Sequence, residues 1–333
     1  MDTRFARFVK DFPGRLAMPL DAYAGLAITG ESVEDLVSVP STQFKAIMAL
    51  NDRYRTRVLV TATDPTAEAE AFGCEARLTP RDLPAVVGRR VTRSEDIASL
   101  PDVVPGDART RVPIETAWRL TAESEEGTPV LGAMLGPFSL ACRIFGAAEA
   151  VEAASSREPE MIEALLDVVT GFLCRYALAF RETGAWGVIV AEHEAGKLPP
   201  EGLARFSAPF VKRIIKAAEE PDFAVIYLAN GARLDHLGCA LESGAGIYHF
   251  GAAMDMAGAL AKVDPEVVLC GNLDAQALFH KATPQAVGDA TRALLEAVRG
   301  HRNFVISSGS DILPGAPLAN LNAFYRTVSE FNK

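Results

Sequence analysis

From about residue 55 onward, short apolar runs alternate with helical patterns, and this alternation constrains the fold more than any other feature of the chain. The runs are Val58–Val60, Val130–Met134, Val188–Val190, Ala224–Tyr227, Ile247–Phe250, Val267–Cys270 and Phe304–Ile306. Apolar side chains at successive positions mark strands buried on both faces, as parallel strands are. Between the runs lie amphipathic helices. Ile162, Leu165, Leu166, Val169, Leu173 and Tyr176 keep a helical spacing behind a start at Glu158-Pro159. Leu203, Phe206, Phe210 and Ile214 do the same, with a kink expected at Pro209. Thr283-Pro284 supplies an N-cap and an N1 proline for a helix carrying Val287, Leu294 and Val298. With an eighth strand near Leu16–Pro19, the pattern predicts a single (β/α)8 TIM barrel over residues 1–333. Residues 1–50 or so would form an N-terminal extension packed on it. A doubly wound sheet competes, but no GxGxxG follows a strand.

Hydrophobic residues make up 49% of the 333, enough for a substantial core. The formal net charge is −10 at pH 7 with no basic stripe, so neither nucleic acid nor an anionic membrane is an expected partner. No apolar stretch reaches the roughly 18–20 residues that span a bilayer. The N-terminal MDTRFARFVKDFPGR has no apolar signal-peptide core. Five scattered cysteines without a CxxC argue against a disulfide framework and for a reducing, cytoplasmic setting.

In such a barrel the chemistry sits at the C-terminal ends of the strands. The first run is followed by Asp64, Glu68 and Glu70, the second by Gly136-Pro137, and the third by Glu192, His193 and Glu194. The fourth leads to Asn230. The fifth carries His249 and is followed by Gly251 and Asp255. The sixth ends in Asn272 and Asp274, and the last in Ser307, Ser308, Ser310 and Asp311. Each has a plainer use as well. Asp64 equally suits a helix cap. Strand alternation points Glu192 and Glu194 one way and His193 the other, and a loop ion network would use the same residues. His249 suits a core histidine, and Asn272 and Asp274 suit turns. The weight lies in so many polar groups converging on one end of a barrel.

Several of these segments resemble the uroporphyrinogen decarboxylase superfamily, and most closely its corrinoid-dependent methyltransferase branch, the methylcobalamin:coenzyme M type. The segments are TDPTAEAEAFGCE (63–75), GPFSLACRIFG (136–146), AEHEAGKLPPEGLARFSAPFVKRI (191–214), IYLANG (226–231), IYHFGAAMDM (247–256), GNLDA (271–275) and SSGSDILPGAPLANLNAFY (307–325). The resemblance implies a (β/α)8 barrel with a deep cleft at the strand ends, and a corrinoid carried by a partner protein. It also implies a small methyl donor or acceptor, and a homodimer is possible because the superfamily includes dimers. The arginine-rich N-terminal segment of the decarboxylases has no counterpart in PGRLAMPLDAY, which argues against a substrate with many carboxylates. Asp64 falls where the decarboxylases hold a pyrrole-binding aspartate. The methyltransferases hold zinc through a His-x-Cys pair and a Cys in SSGCD. Here those positions carry Leu228, Asn230 and Ser310, so zinc is not expected at the usual site. A relocated metal would fall to His193 and Glu194, with Glu192 and His249 on neighbouring strands.

The expected function is a corrinoid-linked methyltransferase that does not use zinc–thiolate chemistry. Asp64, Glu192, His249 and Asp311 are its candidate catalytic residues, and Tyr227, Asn230, Asn272, Asp274 and Ser310 its candidate substrate contacts. One alternative is a metal-independent decarboxylase or lyase acting on a small organic acid held by Arg143 and Lys197. The other is a non-catalytic binding member of the superfamily.

Overall fold

The computed structural model describes residues 2–156 and 159–333. In chain order the strands are β1 (Leu59–Val60), β2 (Glu75–Arg77), β3 (Ala85–Val87), β4 (Val130–Leu135), β5 (Gly187–Glu192), β6 (Ala224–Ala229), β7 (Ile247–Phe250), β8 (Val268–Leu273) and β9 (Phe304–Ser308). Among the described residues seven of them form one parallel sheet, ordered β1-β4-β5-β6-β7-β8-β9, while β2 and β3 pair as a separate antiparallel ribbon. The sheet order follows the chain and helices intervene between neighbours, which is the connectivity of a barrel wall. All seven expected apolar runs are strands of this sheet.

The eighth expected strand forms only in part, and this corrects the closed barrel. Leu16–Met18 lies along β9 through a single parallel bridge, Ala17 to Ile306. The Met18 N–H donates to the Ile306 carbonyl at 2.9 Å, and the Ile306 N–H to the Leu16 carbonyl at 3.0 Å. Pro19 then ends the ladder for want of an N–H. Among the described residues no ladder joins this segment to β1, so the sheet is curled but not closed by hydrogen bonds.

Strand alternation divides the apolar residues into two cores. Val60, Leu131, Ala133, Ile189, Ala191, Ile226, Leu228, Ile247, Cys270 and Val305 point inward and meet Leu16, Met18 and Leu20. The opposite faces, with Val188, Val190, Val225, Tyr227, Tyr248 and Leu269, pack under the helices. The helix Arg4–Asp11 adds Phe5, Ala6 and Val9 to the inner core. Its Arg4 guanidinium lies 3.7 Å from the centre of the Trp186 ring, at the foot of β5. This helix stops the N-terminal end of the barrel and leaves the other end for chemistry.

The helix expected after Glu158-Pro159 runs Glu160–Glu182; Glu158 itself lies outside the described residues. The expected kink falls two residues before Pro209. Helices Pro200–Phe206 and Ala208–Ala218 break at Ser207. The Thr283 hydroxyl caps Pro284–Ala297 by accepting from the Ala286 N–H.

Candidate active site at the strand ends

A cavity of ≈ 210 Å³ opens at the C-terminal ends of the strands. Thr63 and Pro65 reach it from beyond β1, Arg143 from the helix after β4, and His193 from beyond β5. Asn230 follows β6, Ser310 and Asp311 follow β9, and Tyr23 joins from the N-terminal segment. A second hollow of ≈ 370 Å³ adjoins it and shares Pro65, Leu83 and Arg143. A larger groove of ≈ 640 Å³, with the exposed Trp118, lies between helices Arg111–Glu123 and Glu160–Glu182. None of its described lining residues follows the C-terminal end of a strand, and its charged groups, Arg111, Glu115, Arg175 and Glu182, come from the two helices.

Asp311 lines the cavity beside Thr63 and Ser310. Burial pushes its carboxyl up to about 7, against hydrogen bonds from the Thr63 backbone and side chain that work the other way. His193 is driven down to about 4, first by burial and then by the Arg143 charge, so it stays neutral at physiological pH. Arg143 pairs with Glu194 at 3.3 Å, and Lys197 pairs with the same carboxylate. Burial works to raise the Glu194 carboxyl, but Lys197 and Arg143 together bring it below its ordinary value.

His249 lies deeper, wholly buried on the inner face of β7. Its Nε2 is 2.8 Å from Ser307 Oγ, and the Ser307 hydroxyl donates to the Met18 carbonyl at 2.6 Å. With that hydrogen spent, Ser307 accepts from the ring, so Nε2 carries the proton and Nδ1 keeps a bare lone pair. Nδ1 is buried and without a hydrogen-bond partner. Burial drives this imidazole down to about 3, so it too stays neutral.

The other expected residues take different places. Asp64 sits just behind the cavity wall. It is ion-paired with Arg109, which also bonds Glu70 and the Thr66 hydroxyl, while Asp64 accepts from the Thr66 N–H at 2.8 Å. Glu192 points away from the cavity, into the helix layer. It accepts from the Phe138 N–H at 3.0 Å, the Ser139 N–H at 2.7 Å and the Ser207 hydroxyl at 2.9 Å, at the start of helix Pro137–Phe145. Tyr227 lies on the same outer face, 2.7 Å from Ser207. Asn272 donates to the Gly251 and Met254 carbonyls and fixes the loop after β7. Asp274 caps the following helix, accepting from the Gln276 and Ala277 N–H groups. The structure thus brings Asn230, Ser310 and Asp311 together with His193, and leaves Glu192, Tyr227 and Asp274 out of the cavity. Tyr23 and Arg109 were not foreseen. Arg109 is 45 residues from Asp64, in the short 3-10 turn Ala108–Thr110 that no periodic pattern marks.

The family model described as uroporphyrinogen decarboxylase (URO-D) matches residues 19–331. The chain belongs to the uroporphyrinogen decarboxylase family. Relatives of two kinds share that family with it. A methylcobamide:CoM methyltransferase MtbA of Methanosarcina acetivorans is 28% identical over 271 residues, 80% of this chain and 78% of its own length. A uroporphyrinogen decarboxylase of a Synechococcus strain is 27% identical over 249 residues, 72% of this chain and 69% of its own. Among solved structures, a methyltransferase from Methanosarcina mazei superposes with a TM-score of 0.84 at 17% identity, covering 99% of this chain and 98% of that one. That match speaks for the fold.

Within this uroporphyrinogen decarboxylase family fold, the three positions at which the methyltransferase resemblance puts zinc ligands do not suit the metal. Leu228 has no donor atom and is buried in the inner core. Asn230 and Ser310 do line the cavity, but an amide and a hydroxyl are poor zinc ligands beside imidazole and thiolate. The relocated site at His193 and Glu194 finds no support. Glu194 is engaged by Arg143 and Lys197, and among the described residues no group of three or more His, Cys, Asp or Glu is placed to hold a metal.

Proposed function

We propose that this protein is a corrinoid-linked methyltransferase acting on a small methylated donor or acceptor, with an acid–base residue in place of zinc-thiolate activation. The observation that carries the reading is the strand-end cavity. It has room for a small molecule only, and among the described residues it offers one cation, Arg143, and one carboxyl, Asp311, that burial pushes up to about 7. A porphyrinogen with many carboxylates calls for several cations. A small acceptor needs one group to take its proton, and a small donor needs one to protonate its leaving group. The similarity to methylcobamide:CoM methyltransferases supports methyl transfer as the reaction.

The corrinoid is cargo, carried by a partner protein and presented at the cavity mouth, since the cavity is far too small for a corrin ring. In the acceptor direction, an X–H group in the cavity gives its proton to the Asp311 carboxylate as X takes the methyl group. In the donor direction, protonated Asp311 returns a proton to X as the methyl leaves. Neutral His193 lines the cavity without adding charge. The five free cysteines support a reducing, cytoplasmic setting. Among the described residues no helix is long and apolar enough to cross a membrane.

The test is spectrophotometric. Purified protein with methylcobalamin, or with a methylated corrinoid protein, and a panel of small thiols, amines and acids should convert the methyl-corrinoid spectrum to that of the demethylated form. No conversion with any acceptor, and no methylation of reduced corrinoid by any methylated donor, would favour a lyase or a non-catalytic binding member of the family.

A further inference from the structure

We infer that Arg143 anchors an anionic group, a carboxylate or sulfonate, of the small molecule that fills the strand-end cavity. The inference rests on reading that cavity as the substrate site, but not on methyl transfer being the reaction.

Two observations converge on it. Arg143 is the one Lys or Arg among the described residues lining the cavity, and it also lines the adjoining hollow, so it stands where the two meet. Its charge is not fully matched by protein. Glu194, its partner, is shared with Lys197, so two cations divide one carboxylate. Its Nε is shielded from solvent, while the side chain as a whole is part-exposed, so the terminal nitrogens are the ones a ligand can reach. A guanidinium presents its N–H groups as a planar fork that suits the two oxygens of a carboxylate, or two of a sulfonate's.

The surroundings define the ligand further. Asn230 and Ser310 supply a neutral amide and a hydroxyl on the cavity side. The adjoining hollow offers Pro84, Val86 and Ala147, an apolar wall for the carbon chain. The ligand class is therefore a short-chain organic acid, its anionic group on Arg143 and its reacting end in the polar cavity with Asp311. The position is informative because Arg143 lies in the last turn of the short helix Pro137–Phe145, whose N-terminus Glu192 braces. The bracing that steadies the helix also steadies the fork.

Saturation-transfer NMR and calorimetry would test this with carboxylates and alkylsulfonates of two to six carbons. Each is compared with its uncharged amide or sulfonamide, on wild type, Arg143→Gln and Arg143→Lys, with thermal melts to verify folding. The expected result is that at least one anion binds wild type about tenfold or more tighter than its neutral partner. Arg143→Gln should lose that preference, and Arg143→Lys should keep part of it. Equal binding of anion and amide by wild type would overturn the inference, as would a preference that survives in Arg143→Gln. Should Arg143→Gln fail to fold, a preference undiminished in Arg143→Lys would overturn it likewise, because a point charge does not reproduce the fork. An anion preference without methyl transfer would leave the anchor standing and remove the methyltransferase reading instead.

Discussion

Asp311 is where the chemistry of single residues is most exposed to test. A carboxyl raised to about 7 by burial exchanges protons at the pH of the cell. Asp311→Asn keeps the size and loses the proton. The variant should lower turnover by roughly 10²–10⁴-fold and remove the inflection near pH 7 from the rate profile. In the acceptor direction the wild-type rate should rise through that inflection, because the carboxylate is the active form; in the donor direction it should fall. An unchanged profile in the variant would exclude Asp311 as the proton-transfer group. Much of this scale was legible in advance. Strand alternation sends Glu192 and His193 to opposite faces, and the structure puts His193 in the cavity and Glu192 behind it. The same rule fails at Glu194, because β5 ends at Glu192 and alternation does not extend beyond a strand. Arg143 was legible, with Lys197, as a cation that could hold a small organic acid. Its place between two hollows is a tertiary fact.

Among the elements, the join between β4 and helix Pro137–Phe145 holds the cavity wall. Glu192 braces the helix N-terminus through two backbone N–H groups, where a negative group is favoured. It fits because residue 136 is glycine: a Cβ there would lie 2.5 Å from the Glu192 carboxyl carbon. Gly136→Ala should destabilise the protein by about 1–3 kcal/mol, read as a lower urea midpoint with unchanged slope. Glu192→Gln should cost about 1–3 kcal/mol, because an amide NH₂ then faces backbone donors. A wild-type midpoint in both variants would show that the brace carries no weight. The seven apolar runs made the strands readable, since continuous hydrophobicity is what a doubly covered strand requires. The eighth was readable only in part. Leu16, Met18 and Leu20 have the inward spacing of a strand, yet Pro19 denies them a ladder. The break at Ser207 was displaced from the expected Pro209 because proline is tolerated in the first turn of a helix.

The whole molecule carries an unusual load of buried acid. Asp21, Glu68, Glu192 and Asp311 are each pushed up to about 7 by burial. In the folded protein they hold protons that an unfolded chain releases near its ordinary carboxyl range, so each favours folding less as pH climbs from about 4 to about 7. His193 and His249 act in the opposite sense. They are held neutral at about 4 and about 3, while unfolded histidines bind protons below 6.5, so their contribution improves as pH rises to 6.5. Above 6.5 the histidine effect is exhausted and only the carboxyls continue. The melting temperature should therefore fall between pH 6.5 and pH 8, and Glu192→Gln should reduce that slope. A melting temperature that rises over this interval would mean that the four carboxyls are already ionised in the folded state. At this scale the fold was readable from the alternation of strands and helices, and the family from segments spread over nearly the whole chain. Which residues face the cavity depends on the curl of the sheet, and no single segment records that.

The central claim is methyl transfer that does not depend on zinc at Leu228, Asn230 and Ser310. Zinc content and methyl transfer from a methylated corrinoid, measured on one preparation before and after dialysis against a chelator, test it most directly. The expected result is zinc well below one per chain and a rate that the chelator leaves unchanged. Zinc near one per chain, with activity lost on chelation and restored by the metal, would contradict it.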